Sequence, residues 1–327
     1  MPNILVTGVG SVMGHSIFDV LVRRNDPDFN IFLTNSEMEP PAALVCRELN
    51  LGYNFSLSPT AVNPEYKAWM KSHIEANSID IIYPGTQHEL PKLSELRDLD
   101  YPVACPGFEI VSLCSSKYSL AELFEADGVS HPKTRKWIKG ESNIEDFIGF
   151  LAKPNSGSAS RGIYLIDRRN QDSVKEVMDS STIDYILQEF IEGNEYTCSV
   201  FLDKFSKDLS VLQLERTLSP DGSSLNGIVR DDEIIRQYLR EIVEVLGRHG
   251  FDFGHLNVQL RLSKNGPQLF EINPRLSSTE SPKDRLGFST VLAYFSNIVL
   301  QEAFRFSQPK PGSFFKRYYS EAISIVE

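Results

Sequence analysis

The chain has 327 residues, of which 41% are hydrophobic and 24% charged, an ordinary globular composition with room for two or three cores. A formal net charge of −11 argues against a nucleic-acid partner, because binding to phosphate backbones depends on clustered Lys and Arg. No apolar run approaches the roughly 18 residues of a membrane helix, so we expect no membrane partner. The first residues read directly as a strand, and the four cysteines lack metal or disulfide spacing. A cytoplasmic protein with buried cysteines is therefore expected.

The first part of the chain alternates short apolar strands with helical segments. Strands are predicted at "NILVTG", "IFLTN" and "IDIIYPG", with helices at "SIFDVLVRR" and "YKAWMKSHIEANS". This alternation is typical of an α/β unit with a parallel sheet and crossover helices. We expect this unit to cover residues 1–112.

Glycines mark the turn after the first strand. Gly8, Gly10 and Gly14 lie in "TGVGSVMGHS", but the spacing differs from the dinucleotide fingerprint, because Met13 holds the third glycine position. Asn35 ends the second strand where a ribose-binding acid is expected. A nicotinamide dehydrogenase is therefore disfavoured. The loop is either a tight turn or an anion-binding helix start.

A second small-residue loop follows a lysine in the middle of the chain. An N-capped helix is predicted first, beginning at Ser115 or Ser116 and ending before Gly128. In "AKPNSGSASRG", Lys153 ends a strand and small residues follow it. Such a loop can offer backbone N–H groups to phosphates while the lysine supplies a charge. A plain Gly/Ser hairpin is the alternative.

The remaining chain is rich in strands. Strands are predicted in "DYILQEF", "NEYTCSVFL" and "SVLQLERTL", and the segment "DDEIIRQYLREIVEVLGRHG" has the pattern of an amphipathic helix. The segments "HLNVQLRL" and "QLFEIN" flank an Asn-Gly turn, which strongly indicates a hairpin.

Polar side chains cluster on that hairpin. Residues two apart in a strand face the same side, so Glu271 and Asn273 point together, as do Asn257 and Gln259. The turn places Gln259 opposite the Glu271/Asn273 pair. Their oxygens suit Mg²⁺, and Arg275 could grip a transferring phosphoryl group at the same place. A polar strand end that only caps the hairpin is the alternative.

Several of these segments resemble a known family. The segment "HLNVQLRLSKNGPQLFEINPRLSST" closely resembles the ATP-grasp domains of the carbamoyl phosphate synthetase large subunit. "SSKYSLAELFEADGVSHPKT", "AKPNSGSASRGI" and "LQEFIEGNEYTCSVF" are similar to the helix entry, flap and hinge of that superfamily. The resemblance spans almost the whole chain. It implies a Rossmann-like pre-ATP-grasp α/β domain (1–112) followed by a two-subdomain α+β ATP-grasp domain, with a small subdomain bearing the flap (113–190) and a large one bearing the metal site (191–327).

The resemblance also implies roles for particular side chains. The residues that would bind the phosphates, adenine and ribose of ATP are Lys117, Lys153, Ser156, Gly157, Ser158, Gly162, Glu189, Phe190, Ile191 and Glu195. Those that would hold one or two Mg²⁺ ions, for which Mn²⁺ could substitute, are Gln259, Glu271 and Asn273. Those that would act in catalysis, at the transferred phosphate or near the acceptor carboxylate, are Lys153, Arg216, Arg230 and Arg275.

Family members phosphorylate a carboxylate with ATP and pass the acyl group to a nucleophile. The resemblance thus implies an ADP-forming carboxylate–amine ligase that acts on small-molecule carboxylate and amine partners, with a homodimer as the expected assembly. A glycan or natural-product pathway is a further extension. The alternatives are a carboxyphosphate or carbamate kinase activity and a non-catalytic ATP-binding module. His255 shares the ligand face, and we expect it to be structural rather than a substrate contact.

Overall fold

Three β-sheets follow one another along the chain. The computed structural model describes residues 1–24, 29–38, 40–157, 162–219, 222, 224–318 and 322–323. Within these ranges, no helix has the length and apolar character needed to cross a membrane. The four cysteines are buried and unpaired, as predicted.

The first sheet is parallel, as the sequence predicted, with strand order β3-β2-β1-β4. Its strands are β1 (Asn3–Val6), β2 (Asn30–Asn35), β3 (Asn54–Leu57) and β4 (Ile81–Tyr83). The accompanying helices are α1 (Val12–Arg24), α2 (Pro41–Glu48), α3 (Tyr66–Ala76), α4 (Leu90–Arg97) and α5 (Phe108–Ser115). The sequence analysis did not predict β3, an edge strand of only four residues, none of which is fully buried.

Close packing and a hydrogen bond within the protein hold the first glycine loop in place. Gly8 has φ +50°, and a Cβ on Gly14 would lie 2.5 Å from the Gly8 carbonyl oxygen. The Gly10 N–H donates to Asn35 Oδ1 at 3.1 Å, so the residue that replaces the expected ribose acid holds the loop. These contacts support the interpretation of a tight strand-to-helix turn.

The second sheet is antiparallel and follows the N-capped helix α6 (Lys117–Ala126), where Ser116 Oγ accepts from the Ser119 N–H. Its order is β5-β8-β6-β7. The strands are β5 (Thr134–Lys136), β6 (Phe150–Pro154), β7 (Tyr164–Leu165) and β8 (Tyr185–Glu189), with a 3-10 turn at Ile144–Phe147 and helix α7 (Gln171–Ser180) beside them. Helix α5 runs across residue 112, so the proposed domain boundaries stay predictions.

The third sheet carries the predicted hairpin at one edge. Its order is β13-β12-β9-β10-β11-β14, all antiparallel. The strands are β9 (Asn194–Leu202), β10 (Leu209–Leu218), β11 (Ser224–Arg230), β12 (Gly254–Ser263), β13 (Gly266–Asn273) and β14 (Phe314–Lys316). One face packs on helix α8 (Glu233–Arg248) through a core that includes Cys198, Val200 and Val258. Because side chains alternate, the intervening residues face the other way.

Two short helices join the third sheet to the first. They are α9 (Glu280–Arg285) and α10 (Thr290–Phe295), followed by a π-helical turn at Ser296–Leu300. Tyr294 packs in one core with residues of the first sheet, and the Tyr83 hydroxyl donates to the Val291 carbonyl oxygen at 2.7 Å. The first sheet is thereby packed against the end of the chain that carries the polar hairpin.

Candidate active site

A cavity of about 630 Å³ opens between the second and third sheets, with Val12 of the first unit at its edge. It brings together most of the residues that the sequence singled out. Those lining the cavity are Lys117, Lys153, Gly157, Glu189, Phe190, Ile191, Glu195, Arg216, Gln259, Glu271, Asn273 and Arg275.

Lys153 supplies a buried positive charge to the cavity wall. Its side chain lies on β6 and is 5% exposed. Its Nζ donates to Gln188 Oε1 at 2.7 Å and lies 5.1 Å from the centre of the Phe270 ring. Burial lowers the pKa of Lys153 to about 8; Lys117 adds to this lowering and Glu271 opposes it. Since no described carboxylate forms an ion pair with this ammonium group, an anionic ligand would stabilise it.

Lys117 reaches the same wall from the start of α6. Asn155, two residues after Lys153, accepts the Tyr118 N–H on Oδ1 at 2.9 Å and the Lys117 N–H on its carbonyl oxygen at 3.0 Å. Lys117 Nζ donates to the Gly157 carbonyl oxygen at 3.3 Å. The helix start and the beginning of the loop are therefore held together. Two ammonium groups and a helix N-terminus then converge on one place, which favours phosphate binding.

The segment between β8 and β9 forms an apolar slot with backbone polar groups. The Phe190 ring lies 4.8 Å from the Arg261 guanidinium, and Arg261 Nη1 donates to the Ile191 carbonyl oxygen at 3.1 Å. Leu151 and Ile163 add apolar surface to the same cavity. A flat aromatic base fits such a slot, because apolar faces hold its ring and backbone groups fix its edge.

Glu195 lies between two arginines at the foot of this slot. Arg216 Nη2 donates to its Oε1 at 2.8 Å, and Arg261 Nη2 donates to its Oε2 at 2.9 Å. Arg216 Nη2 also donates to Gln259 Oε1 at 2.9 Å. A carboxylate has about four acceptor positions, so Glu195 retains capacity for a ligand hydroxyl. Arg216 thus connects the slot to the polar hairpin.

The hairpin has the predicted register. Gln259 lies opposite Glu271, and Asn257 lies opposite Asn273. The register then shifts, and Phe270 has no partner residue on β12. This bulge lets both Phe270 and Glu271 line the cavity, although neighbouring residues in a regular strand face opposite sides.

The donor set on the hairpin fits Mg²⁺. In the described part of the chain, the Glu271 carboxylate makes no hydrogen bond or ion pair. The amide oxygens of Gln259 and Asn273 accept from Arg216 and Arg275, respectively, and each keeps a second lone pair. The same part of the chain contains no cluster of three His, Cys, Asp or Glu side chains. One carboxylate, two amides and ligand phosphates form a hard oxygen set of the kind that holds Mg²⁺.

Arg275 joins the hairpin to the first unit. Its Nη2 donates to Asn273 Oδ1 at 3.0 Å, and its Nε donates to Gln87 Oε1. Its Nη1 lies 3.5 Å from Met13 Sδ. All of these acceptors are neutral, so the guanidinium charge at the cavity edge has no ion-pair partner among the described residues.

Three predicted site residues are described but are not brought to the cavity. Arg230 pairs with Glu215 on the outer face of the sheet. Arg216 lies opposite Gly227, and Arg230 is an odd number of residues further along, so its side chain points away. Ser156 and Gly162 do not line the cavity, and Ser158 lies outside the described residues.

The cavity also contains residues that the sequence reasoning missed. Arg261 lies on the same face of β12 as Gln259, so the two-residue period could have identified it. Gln188 and Phe270 had no such signal in the sequence. Gln188 reaches the cavity through the pairing of β8 with β6, and Phe270 through the bulge in β13. Residues 277–279, directly after Arg275, line the cavity as well.

Comparisons with known proteins agree with this geometry. A D-alanine–D-alanine ligase A of Bacillus cereus is 22% identical over 161 residues, which is 40% of this chain and 54% of that protein. The chain thus spans about half the length of this relative. The crystal structure of L-amino acid ligase from Bacillus licheniformis matches with a TM-score of 0.67 at 14% identity, over 91% of this chain and 74% of that one.

A third match is the biotin carboxylase domain of the Hydrogenobacter thermophilus 2-oxoglutarate carboxylase, crystallised with MgADP, ADP and bicarbonate. Its TM-score is 0.71 at 15% identity, over 95% of this chain and 73% of that one. At such identities the likeness concerns the fold. It confirms a parallel N-terminal sheet followed by antiparallel sheets as a known arrangement.

Two antiparallel sheets that enclose a lysine-lined cavity define a nucleotide-binding grasp architecture. Residues 114–279, about half of the chain, match the family model of the ATP-grasp domain. The chain belongs to the ATP-grasp family.

Proposed function

We propose that this chain is an ATP-dependent ligase that joins a small carboxylate to an amine, with release of ADP and phosphate. One observation carries the proposal. Among the described residues, the buried Lys153 ammonium forms no ion pair with a carboxylate, and the Glu271 carboxylate forms none with a cation, although both line the cavity. A nucleotide phosphate chain with its metal ion would complete both sites at once.

The nucleotide would lie along the cavity. The slot at Phe190 and Ile191 would hold adenine, and Glu195 would accept from the ribose hydroxyls. Lys117 and Lys153 would contact the phosphates. This placement is supported by the presence of all these residues in the lining of one cavity. Glu189 precedes the slot and lines the cavity as well.

Glu271, Asn273 and Gln259 would hold the metal ion. Mg²⁺, one or two ions, would supply charge neutralisation for the phosphates, and exchange for Mn²⁺ is a further prediction. Arg275 is placed directly after these residues on the chain, and its guanidinium would stabilise charge on the transferred phosphoryl group.

The reaction would proceed in two displacements. An oxygen of the substrate carboxylate attacks the γ-phosphorus of ATP, the bond to the β-phosphate oxygen breaks, and ADP leaves. The amine nitrogen then attacks the carbonyl carbon of the acylphosphate, loses a proton and expels phosphate. The protein contributes positioning and charge rather than a covalent nucleophile. Arg216 would act near the acceptor. The relatives whose names denote D-alanine and L-amino acid ligases favour an amino-acid-like carboxylate.

The test is ADP release from MgATP against a matrix of carboxylates crossed with amines. A requirement for one member of each class establishes the ligase. Release with bicarbonate alone would favour carboxyphosphate formation instead, in line with the biotin carboxylase neighbour. No release with any pair, while ADP still binds, would support a non-catalytic module.

A matched pair of variants tests the metal assignment. Glu271→Gln should abolish substrate-dependent ADP release, because the only unpaired carboxylate of the donor set loses its charge. Glu215→Gln lies on the opposite face of the same sheet, paired with Arg230, and should leave the rate unchanged. Equal rates in wild type and Glu271→Gln would refute the assignment. The homodimer and the biosynthetic pathway stay predictions.

A further inference from the structure

A buried polar cluster lies beneath the cavity edge, and of its members Ser277 alone lines the cavity in the described part of the chain. Its members come from β9, β12, α9, α10 and the segment after Arg275, and none is more than 5% exposed. We name it the lysine cluster. It consists of Ser199, His255, Ser277, Glu280, Lys283 and Thr290.

The centre of the lysine cluster is an ion pair. Lys283 Nζ lies 2.6 Å from Glu280 Oε1, and both side chains are 1% exposed. The same Oε1 accepts the Ser277 N–H at 2.7 Å, while Oε2 accepts from the Thr290 hydroxyl. Burial alone would raise the pKa of Glu280, but Lys283 and His255 outweigh it and hold the pKa below its usual value. The carboxylate is therefore ionised and holds a backbone N–H of the segment that lines the cavity.

A second branch of the cluster reaches Arg275. Lys283 Nζ donates to Ser199 Oγ at 3.0 Å, and Ser199 Oγ lies 2.6 Å from His255 Nε2. His255 Nδ1 lies 2.7 Å from the Arg275 carbonyl oxygen. A carbonyl oxygen only accepts, so Nδ1 carries the proton and Nε2 accepts from Ser199. A continuous line of hydrogen bonds thus runs from the ion pair to the backbone of Arg275.

Stability does not account for such a pair. A buried ion pair can often be replaced by packed apolar residues without loss of stability. Both branches instead end on the backbone of residues 275–277, and residues 275 and 277–279 line the cavity.

We infer that Glu280, Lys283 and His255 are positioning residues, which hold residues 275–279 in the geometry that phosphoryl transfer requires. The inference rests on the proposed function, in which Arg275 contacts the transferred group. These residues act from behind the backbone and touch no substrate themselves.

The experiment compares four variants in the full chain. Lys283→Met breaks the ion pair, and the double variant Lys283→Met/Glu280→Gln removes both charges but keeps an acceptor for the Ser277 N–H. Ser199→Ala breaks only the branch to Arg275. Asp203→Asn is the matched control: this residue is 2% exposed and accepts hydrogen bonds from Asn297 and Phe304, among others, away from the cavity.

Three quantities are measured for each variant: kcat for ADP release, Kd for ADP, and amide hydrogen exchange along the chain. Lys283→Met should lower kcat about 100-fold, because a small misplacement of Arg275 removes its contact in the transition state. ADP affinity should change by less than about twofold, since the adenine slot, Lys117 and Lys153 are unchanged. Amide exchange should accelerate about tenfold in residues 275–280 and stay unchanged in the slot at Phe190 and Ile191. The double variant should recover most of kcat, and Ser199→Ala should lower it about tenfold.

The Asp203→Asn control should accelerate exchange near residues 203–206 and 297–304 and leave kcat unchanged. The inference is overturned if this control lowers kcat as much as Lys283→Met, or if exchange accelerates evenly along the chain. If Lys283→Met does not fold, Ser199→Ala decides the outcome in the same way. A wild-type protein that releases no ADP would refute the proposed function, whereas the exchange pattern would still test the positioning of residues 275–280.

Discussion

Two buried lysines, Lys153 in the cavity wall and Lys283 in the lysine cluster, differ in their partners. Lys153 is 5% exposed; its Nζ donates to the Gln188 amide oxygen and lies near the Phe270 ring, and no carboxylate in the described part of the chain forms an ion pair with it. Lys283 is 1% exposed and pairs with Glu280. A buried charge is costly unless it is paired. Lys283 obtains its counter-charge from Glu280, whereas Lys153 is suited to obtain one from an anionic ligand.

The largest expected difference between the two lysines is in stability. Lys283→Met should lower the free energy of unfolding by about 3–5 kcal/mol, because Glu280 is left buried and unpaired. Lys153→Met should change it by less than about 1 kcal/mol, or raise it, since an unpaired buried ammonium is removed. Denaturant unfolding without nucleotide measures both. A similar loss of unfolding free energy in the two variants would show that Lys153 and Lys283 do not differ in their pairing.

The rate of ADP release should depend on Lys153 as strongly as on Lys283, but through direct contact with the phosphates. Lys153→Met should lower the rate of ADP release by about 100-fold, or about 2.7 kcal/mol, as expected for the loss of one charged contact to the transferring group. Lys139, an exposed lysine that donates to the Ser181 carbonyl oxygen, offers the matched control Lys139→Met, which should retain the wild-type rate. Equal rates in both variants would show that Lys153 does not contact the transferring group.

The lowered pKa of Lys153 predicts a pH effect in which affinity and stability move in opposite directions. Between about pH 8 and about pH 10.5 the folded protein loses this proton while the unfolded chain keeps it. The contribution of Lys153 to the free energy of unfolding therefore increases with pH in this window, whereas ADP affinity should fall by up to tenfold, about 1.4 kcal/mol, per pH unit.

Calorimetric ADP titrations from about pH 7 to about pH 9.5 check this prediction. Lys153→Arg is the informative comparison, because its guanidinium stays charged over this range and its affinity should be flat. The same slope in both proteins would show that another group titrates.

The smallest expected effect concerns the aromatic partner of Lys153. Phe270→Leu should weaken ADP binding about two- to fivefold, since a cation–π contact of about 0.5–1 kcal/mol is lost. Phe205, whose ring lies 5.5 Å from Lys204 Nζ outside the cavity, provides the control Phe205→Leu, expected to bind ADP like wild type. Unchanged affinity in Phe270→Leu would show that the ring does not stabilise the charge.

Local rules account for what could be predicted of the site. The two-residue period and the Asn-Gly turn placed Gln259 opposite Glu271, and the register confirms this. The same period explains why Arg230 lies away from Arg216. Arg216 pairs with Gly227, and Arg230 is three residues further along β11, so its side chain lies on the opposite face. The bulge at Phe270 could not be foreseen, because the extra residue becomes visible only against the partner strand.

The sequence by itself determined the parallel α/β character of the first unit, the cap of α6 at Ser116, the faces of the hairpin and the family. These features depend on neighbours within a few residues, whose geometry the backbone period sets. Only the tertiary structure decided which charges are paired. Arg275 and its partner Gln87 are 188 residues apart in the sequence, and Lys283 and its partner Ser199 are 84 residues apart. Such contacts arise where separate sheets and helices pack together, and no local pattern records which side chains then face each other.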